Sequence, residues 1–432
     1  MTTEALIQVL RASGADGWEL TVTQKTAWEF YFIRHKLDQH RVRDVEYQEV
    51  QVYRRFGGGK YLGSAGGEIP PTATKAEAEA AVQRFFQAAA YVRNPAYTLN
   101  APHVLPPCAE ETPDLAAIAR SFVEVMRSLP ETQTEDVNSY ELFVSADRVR
   151  FLNSEGIDYI HVSPSSMLEV VLNARSGGRE IELYRMITGG GCDGASLRKR
   201  LSEALVLGRD KLKAAPTPAL RRADVIFSTD AALELYEYFV TRMDAAHKYR
   251  GYSDWEAGKP VAAYRAGDRV TVKTLVSLPG ASETAPFDEE GAPIREVTLI
   301  QDGIAQRFAG SRQFSQYLGL EESFIPGCVA FSGGTATAEE LYAGQYLDIR
   351  EFSDFQVDPV NGEIAGEIRL AYWHDGEKTV PVSGGSVSGS MKDFIPNMRM
   401  SAEQQQYDTR LIPKVTRLYG VRITGAEPEE KA

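Results

Sequence analysis

Apolar residues recur along this chain with two periods, and the switches between them outline its elements. Thr2 and Thr3 precede Ala5-Leu-Ile-Gln-Val-Leu10, which predicts a short capped helix ending near Gly14 or Gly17. Trp18, Leu20 and Val22 then alternate with polar neighbours, and Val45 and Tyr47 keep the same period of two, the mark of half-buried strands. The strand continues from Val50 to Phe56, and a slip in alternation at Gln48-Glu49 predicts a bulge. Gly57-Gly-Gly59 turns the chain into Lys60-Tyr-Leu-Gly-Ser64. Thr74-Lys-Ala-Glu77 has the form of a capping box, in which each side chain bonds the other's free backbone N–H. Behind it Ala78, Ala81, Val82, Phe85, Ala89 and Val92 make one helical stripe, which Asn94-Pro95 should end.

The segment from Tyr97 to Thr112 is rich in proline and reads as a connector. A helix from about Asp114 to Leu129 opens the middle region. Short strands follow, punctuated by Ser145-Ala-Asp147 and Asn153-Ser-Glu-Gly156, and then a long helix from about Gly194 to Ala214 with Leu197, Leu201, Leu205 and Leu212 inward. Ala215-Pro-Thr-Pro218 is the clearest boundary. Beyond it Asp224 to Ser228 predicts a strand, Asp230 to Lys248 the one long helix of this part, and Val270, Val272, Thr274, Val276 and Leu278 a further alternation. Asp302-Gly303, Asn361-Gly362 and Asp375-Gly376 are three hairpin signals. The expected class is α+β: an N-terminal α/β region with antiparallel strands and packing helices, then a mostly antiparallel C-terminal β domain. The expected divisions are 1–96, 97–218 and 219–432, with a charged, frayed tail from Ala426.

Composition narrows the functional classes. The 432 residues hold 60 acidic and 47 basic side chains, a formal charge of −13 with no concentrated Lys/Arg block, which disfavours direct nucleic-acid binding. No stretch approaches the roughly 18 apolar residues of a spanning helix, and the N-terminus lacks a basic, then apolar, leader. A cytoplasmic protein is the expectation. Cys108, Cys192 and Cys328 lie far apart without a C-x-x-C, which fits free thiols in a reducing compartment.

Candidate chemistry is sparse. Gly57-Gly-Gly-Lys60 is followed by Tyr61, so it is not a phosphate loop, and Gly384-Gly-Ser-Val-Ser-Gly389 does not form a nucleophile elbow. Gly189-Gly-Gly-Cys-Asp-Gly194 reads as a loop, and Cys192 acts as a nucleophile only if the fold brings it a base. On the helix from Asp230, the residues Ala232, Tyr236, Phe239, Val240, Met243 and His247 form an apolar stripe. Glu237, Thr241, Asp244 and Lys248 lie on the polar side. His247 then reads as a half-buried histidine at a helix end. Asp288, Glu289 and Glu290 stand before Gly291, either as a tight turn with a left-handed glycine or as carboxylates near a cleft shared with a partner subunit. In Gly251-Tyr-Ser-Asp-Trp-Glu-Ala-Gly258, Tyr252, Ser253 and Trp255 are either packing residues or cleft residues, the rings of Tyr252 and Trp255 then stacking on peptide.

Several of these segments, taken in order, resemble one family. Tyr61-Leu-Gly-Ser-Ala65, Asn153-Ser-Glu-Gly156, the Gly251–Gly258 segment, Phe287-Asp-Glu-Glu-Gly291 with its following strand and Asp302-Gly303, and Asp354-Phe-Gln356 with Gly362 and Gly366-Glu367 look like the TldD/PmbA pattern. That family was named for modulation of DNA gyrase and is associated with metal-dependent peptide processing. The resemblance covers nearly the whole chain. Metal-bearing members carry His-Glu-x-x-x-His, and the matching stretch here is Tyr236-Glu-Tyr-Phe-Val-Thr241. It keeps Glu237, but Tyr236 and Thr241 are not zinc ligands. The third ligand of the family, a cysteine near the C-terminus, has no counterpart beyond Cys328.

The resemblance therefore implies the PmbA (TldE) branch. It implies a non-catalytic subunit without a cofactor of its own, zinc being expected only in a TldD-like partner, and an unfolded peptide held along strands as substrate. Glu237 would be the residual motif glutamate rather than a general base. The alternative is a homodimer that binds peptide or another ligand without protease activity. An enzyme acting through Cys192 or a serine is a third reading.

Overall fold

The structure is a computed structural model and describes residues 1–107, 112–282, 284–321 and 323–426; Cys108 and the charged tail beyond Ala426 lie outside the described residues. The alternating segments of the first half pair into one antiparallel sheet. Its strands are β1 (Gly17–Ile33), β2 (Lys36–Phe56), β3 (Tyr61–Glu68), β4 (Asn94–Pro95), β5 (Glu135–Asn153), β6 (Asp158–Ser176) and β7 (Arg179–Gly189), in the order β4-β3-β2-β1-β5-β6-β7. Four helices, α1 (Thr3–Ala12), α2 (Lys75–Ala89), α3 (Leu115–Arg127) and α4 (Gly194–Lys211), accompany it. Leu20, Val22, Val50, Val52 and Leu152 pack with α1 and α2, while Leu142, Val144, Leu168, Val170 and Leu172 pack with α3 and α4. The register pairs Leu20 with Leu152 and Phe30 with Leu142, so all four helices share one face of the sheet. The opposite face carries Glu19, Lys25, Asp147 and His161.

Several local expectations change in this setting. The sheet runs across the division expected near residue 97, since β1–β3 and β5–β7 are hydrogen-bonded neighbours. β5 is unbroken through Ser145–Asp147, because Asp147 is paired by Lys25 on the next strand at 3.0 Å, a cross-strand charge pair rather than a turn. β2 has no bulge at Gln48: that side chain points inward, fully buried, and donates to the Glu46 carboxylate at 2.7 Å. The β1/β2 register shift lies instead between Tyr31 and Phe32. Thr74 does form the capping box of α2, but the helix ends at Ala89, where its C-terminus closes on β3. A Cβ on Gly63 would stand 1.8 Å from the Ala89 carbonyl oxygen, so only glycine fits there.

The second half contains β8 (Ala215–Pro216), β9 (Arg221–Phe227), β10 (Thr271–Leu275), β11 (Val297–Gln301), β12 (Ile304–Ala305), β13 (Cys328–Ser332) and β14 (Tyr346–Val357). It continues with β15 (Glu363–His374), β16 (Thr379–Ser383), β17 (Ser386–Ser390), β18 (Arg399–Met400), β19 (Gln404–Tyr407), β20 (Arg410–Pro413) and β21 (Thr416–Thr424). One sheet has the order β12-β11-β10-β13-β20-β19; the other runs β14-β9-β21-β17-β15-β16-β8. β14 also pairs with β15, which closes β14, β9, β21, β17 and β15 into a ring. Asp302-Gly303, Asn361-Gly362 and Asp375-Gly376 are the turns between β11 and β12, β14 and β15, and β15 and β16. The fold is α+β with a β-rich C-terminal half.

The helix expected from Asp230 to Lys248 is two helices, α5 (Ala232–Arg242) and α6 (Ala245–Tyr249). Asp244 separates them with extended backbone, and its carboxylate caps α6 by accepting from the His247 N–H at 2.9 Å. The buried surface of α5 is also wider than one stripe: Leu235, Tyr236, Tyr238, Phe239 and Arg242 are all buried, since the core of both sheets closes around it. The short helices α7 (Arg312–Tyr317) and α8 (Met391–Phe394) complete the fold.

Candidate functional site

Packing of α5 against β20 and β21 fixes the three positions singled out on this helix. Tyr236 is fully buried, its hydroxyl 2.6 Å from Thr416 Oγ1 and its ring 5.0 Å from Phe331. Burial pushes its phenol above the ordinary range, so it stays protonated. Glu237 points the other way and is ion-paired to the Arg410 guanidinium, which also donates to the Gly327 carbonyl at 2.6 Å. Thr241 is half-buried in the last turn, beside the break where the Met243 N–H reaches the Val240 carbonyl at 3.0 Å. The hydroxyl of Tyr236 is thus engaged inside the core and the carboxylate of Glu237 outside it.

The segment after α6 is clamped to the end of α5 by a buried arginine. Arg242 Nη1 donates to the carbonyls of Tyr252 at 2.6 Å and Val360 at 2.8 Å, and Nη2 pairs with Asp254. Its guanidinium lies 5.4 Å from the Trp255 ring and 5.8 Å from that of Tyr238. Ser253 Oγ donates to the Arg242 carbonyl at 2.6 Å, and Trp255 is buried against Tyr238 and Phe239. Ser253 and Trp255 therefore pack, and Tyr252 alone of the three presents an exposed ring. His247 is half-buried and bonded to Asp244 at 3.1 Å. Arg242 was not among the residues singled out in the sequence; the aromatic and acidic residues just beyond the helix were its signal.

The carboxylate turn forms a second cluster. Asp288 is buried and accepts from the N–H groups of Glu290 at 3.0 Å, Ala292 at 2.8 Å and Ile325 at 2.8 Å. Gly291 has φ 77°, and a Cβ there would stand 2.6 Å from the Phe151 ring of the N-terminal sheet. Glu290 accepts from the Arg312 N–H at 2.6 Å, while Asn100 donates to its carbonyl at 2.9 Å. Glu19 comes up from the sheet's open face, bonded by the Tyr53 hydroxyl at 2.6 Å. Burial pushes Glu19 up to about 7 against that hydrogen bond, with the Asp288 charge adding to it. Burial likewise lifts Glu290 to about 8 and Asp288 to about 6, despite their N–H donors. Glu289 is exposed and outside the cluster. The turn thus seals a seam within the chain, between the N-terminal sheet and the C-terminal half.

Between α4, β7 and the C-terminal half lies a cleft of about 1220 Å3, lined among others by Arg185, Arg200, Glu234, Phe352 and Tyr407. Glu351 bridges it by pairing with Arg185 and, at 3.2 Å, with Lys211. The edge strands β7 and β19 of two sheets border it. Its residues come from well-separated segments, so nothing local in the sequence announced it. Cys192 is no activated thiol, because burial and the Asp193 charge push it up to about 11. Among the described residues no group of three or more His, Cys, Asp or Glu side chains stands close enough to hold a metal ion.

Comparison with known proteins matches residues 220–425 to the PmbA/TldA metallopeptidase C-terminal domain. A metalloprotease PmbA homolog of Haemophilus influenzae is 22% identical over 215 residues, 48% of this chain and 46% of the relative, so the chain spans about half the length of that relative. TldE from Thermococcus kodakarensis superposes with a TM-score of 0.78 at 15% identity, over 98% of this chain and 100% of that one. A candidate modulator of a DNA gyrase from Thermotoga maritima gives 0.78 at 14% identity over 98% and 99%, and another from Bacteroides thetaiotaomicron 0.77 at 13% over 98% of both. At these identities the structural likeness is one of fold, and family rests on the C-terminal match together with the ordered motifs. Residues 220–425 thus place the C-terminal half of this chain in the TldD/PmbA family.

Proposed function

We propose that this chain is a non-catalytic, PmbA/TldE-like subunit of a peptide-processing metalloprotease. It pairs in the cytoplasm with a TldD-like chain that carries the zinc. The observation that carries the reading is the state of the motif positions: the Tyr236 hydroxyl engaged by Thr416 and the Glu237 carboxylate by Arg410. A zinc ion there needs imidazole, thiolate or free carboxylate donors converging on one point. A protonated phenol facing the core and a carboxylate held by a guanidinium do not fit it.

The role left to the chain is to bind and position. An unfolded peptide suits the interdomain cleft, because strand edges border it and backbone pairing to an edge accepts many sequences. A charge of −13 argues against direct contact with DNA. No helix of the described residues is long and apolar enough to cross a membrane.

The test is purification of the chain alone and from native lysate, followed by metal analysis and peptide hydrolysis. The expected outcome is neither stoichiometric zinc nor cleavage for the isolated chain, and an equimolar partner bearing His-Glu-x-x-x-His from lysate. One tightly held zinc per isolated chain refutes the reading. A homodimer that binds peptide without any protease partner is the second reading, favoured by a cleft formed within one chain; the lysate experiment separates the two.

A further inference from the structure

A different part of the C-terminal half carries two opposed positive charges without an ion pair among the described residues. In the antiparallel pair β9/β21, Arg222 lies directly opposite Arg422, so both side chains leave the sheet on the same face. Like charges at directly opposed positions repel, and sheets normally avoid or neutralise them. Neither guanidinium has an ion pair among the described residues. Arg222 Nη1 donates to the Gly420 carbonyl at 2.8 Å, which steers it over the strand, and Arg422 makes no side-chain hydrogen bond among the described residues.

Both line a recess of about 960 Å3. The row across its floor runs from Arg222 and Arg422 to Ser388, Ala365 and Gln356, each opposite the last on β17, β15 and β14. The small residues in the middle leave the space open, and Tyr419, 40% exposed, stands at the basic end. Glu363, Asp393 and Asp358 line the other end. Asp358 is occupied in its own turn, accepting from the Val360 and Asn361 N–H groups at 2.8 Å each. Glu363 sits two strands away from Arg422, and Asp224, on the same face of β9 two residues from Arg222, is taken by the Arg417 guanidinium at 2.8 Å and the Gly420 N–H at 3.2 Å, so neither pairs with the two arginines.

We propose that this recess binds a small oxyanion, a phosphate or carboxylate group held by the Arg222 and Arg422 guanidinium forks. Both groups match the fork geometry of arginine, and Ser388 adds a hydroxyl donor beside it. Hydroxyl or amino groups elsewhere on the ligand would face Glu363 and Asp393. The repulsion between the two arginines, a cost in the empty protein, becomes the source of affinity once an anion lies between them. This site is independent of the interdomain cleft and of any zinc-bearing partner.

Thermal unfolding of the full chain with inorganic phosphate, and separately with citrate, at constant ionic strength set by chloride, tests the assignment. The expected result is a saturable rise in Tm with phosphate, citrate or both, the tighter ligand naming the source, and a weakening of at least tenfold in R422Q and R222Q. Without ligand, R422Q should unfold no earlier than the wild type, because removing one charge relieves the repulsion. A Tm that does not move with phosphate or citrate at constant ionic strength overturns the proposal. So does a response that survives in the R222Q/R422Q double variant, or a ligand-free R422Q that is clearly destabilised, since the arginine would then be structural.

Discussion

The hydroxyl of Tyr236 and Oγ1 of Thr416 lie 2.6 Å apart in the C-terminal core, both side chains fully buried. The residue at the first motif position is thus tied to β21 from inside α5. Y236F should cost about 1–2 kcal/mol, because it leaves the Thr416 hydroxyl buried without its partner. Equilibrium urea unfolding measures this. Restoring the family pattern with Y236H/T241H should not create a zinc site, since position 236 faces the core and Glu237 stays with Arg410. Retention of one zinc per chain after dialysis would show that these positions can converge on a metal.

Glu237 separates structural from catalytic readings. Its side chain is 37% exposed and its partner Arg410 21%, so solvent screens the pair and E237Q should change stability by less than about 1 kcal/mol. In a complex with a zinc-bearing partner, the same variant should keep peptide hydrolysis within about twofold, whereas loss of a general base typically costs about 100-fold or more. Steady-state kinetics on the reconstituted complex decides the matter.

What could be read from the sequence divides by distance along the chain. The capping box at Thr74, the turns at Asp302, Asn361 and Asp375 and the αL glycine after Asp288 depend on neighbours within a few positions, and all are present in the fold. Asp244 shows where local reading fails: helical periodicity continues through it, but its carboxylate prefers to cap α6, and the helix breaks. Arg242 was hidden because its burial depends on Asp254 and the distant Val360 carbonyl. The cluster of Glu19 with Glu290 needed the pairing of opposite ends of the chain, which no pattern of periods encodes.

Gly291 is the tightest point of the interdomain seam. An alanine there would hold φ near 77° and press its Cβ on Phe151 at 2.6 Å and Ile157 at 2.9 Å. Left-handed backbone costs a non-glycine residue about 1–2 kcal/mol, and the clash adds to it. G291A should therefore lose more than about 2 kcal/mol and open the seam where Tyr97 and Asn100 are buried, which limited proteolysis would report. A variant as stable and as protease-resistant as the wild type would mean that the seam contributes little.

Protonation of the same seam should make stability depend on pH in a defined direction. Unfolded carboxyl groups titrate near about 4.3, whereas Glu19 and Glu290 titrate at about 7 and about 8 in the fold, so the native state binds more protons between those values. Stability contributed by the neutral acids is then fully present below the unfolded value of about 4.3 and declines as pH rises from there to about 7 to 8, by on the order of several kcal/mol. His161 acts with the opposite sign: burial against Phe287 lowers it to about 4, so its contribution holds above the unfolded value of about 6.5 and is lost as pH falls toward 4. The two slopes predict a stability maximum on the acid side of neutrality. E19Q keeps an acceptor for the Tyr53 hydroxyl but carries no charge. It should match the wild type near pH 5, exceed it at pH 8 and flatten the alkaline limb. Denaturation midpoints across this range test the sign directly, and an E19Q protein that is weaker than the wild type at pH 8 would place a needed negative charge at Glu19 rather than a buried proton.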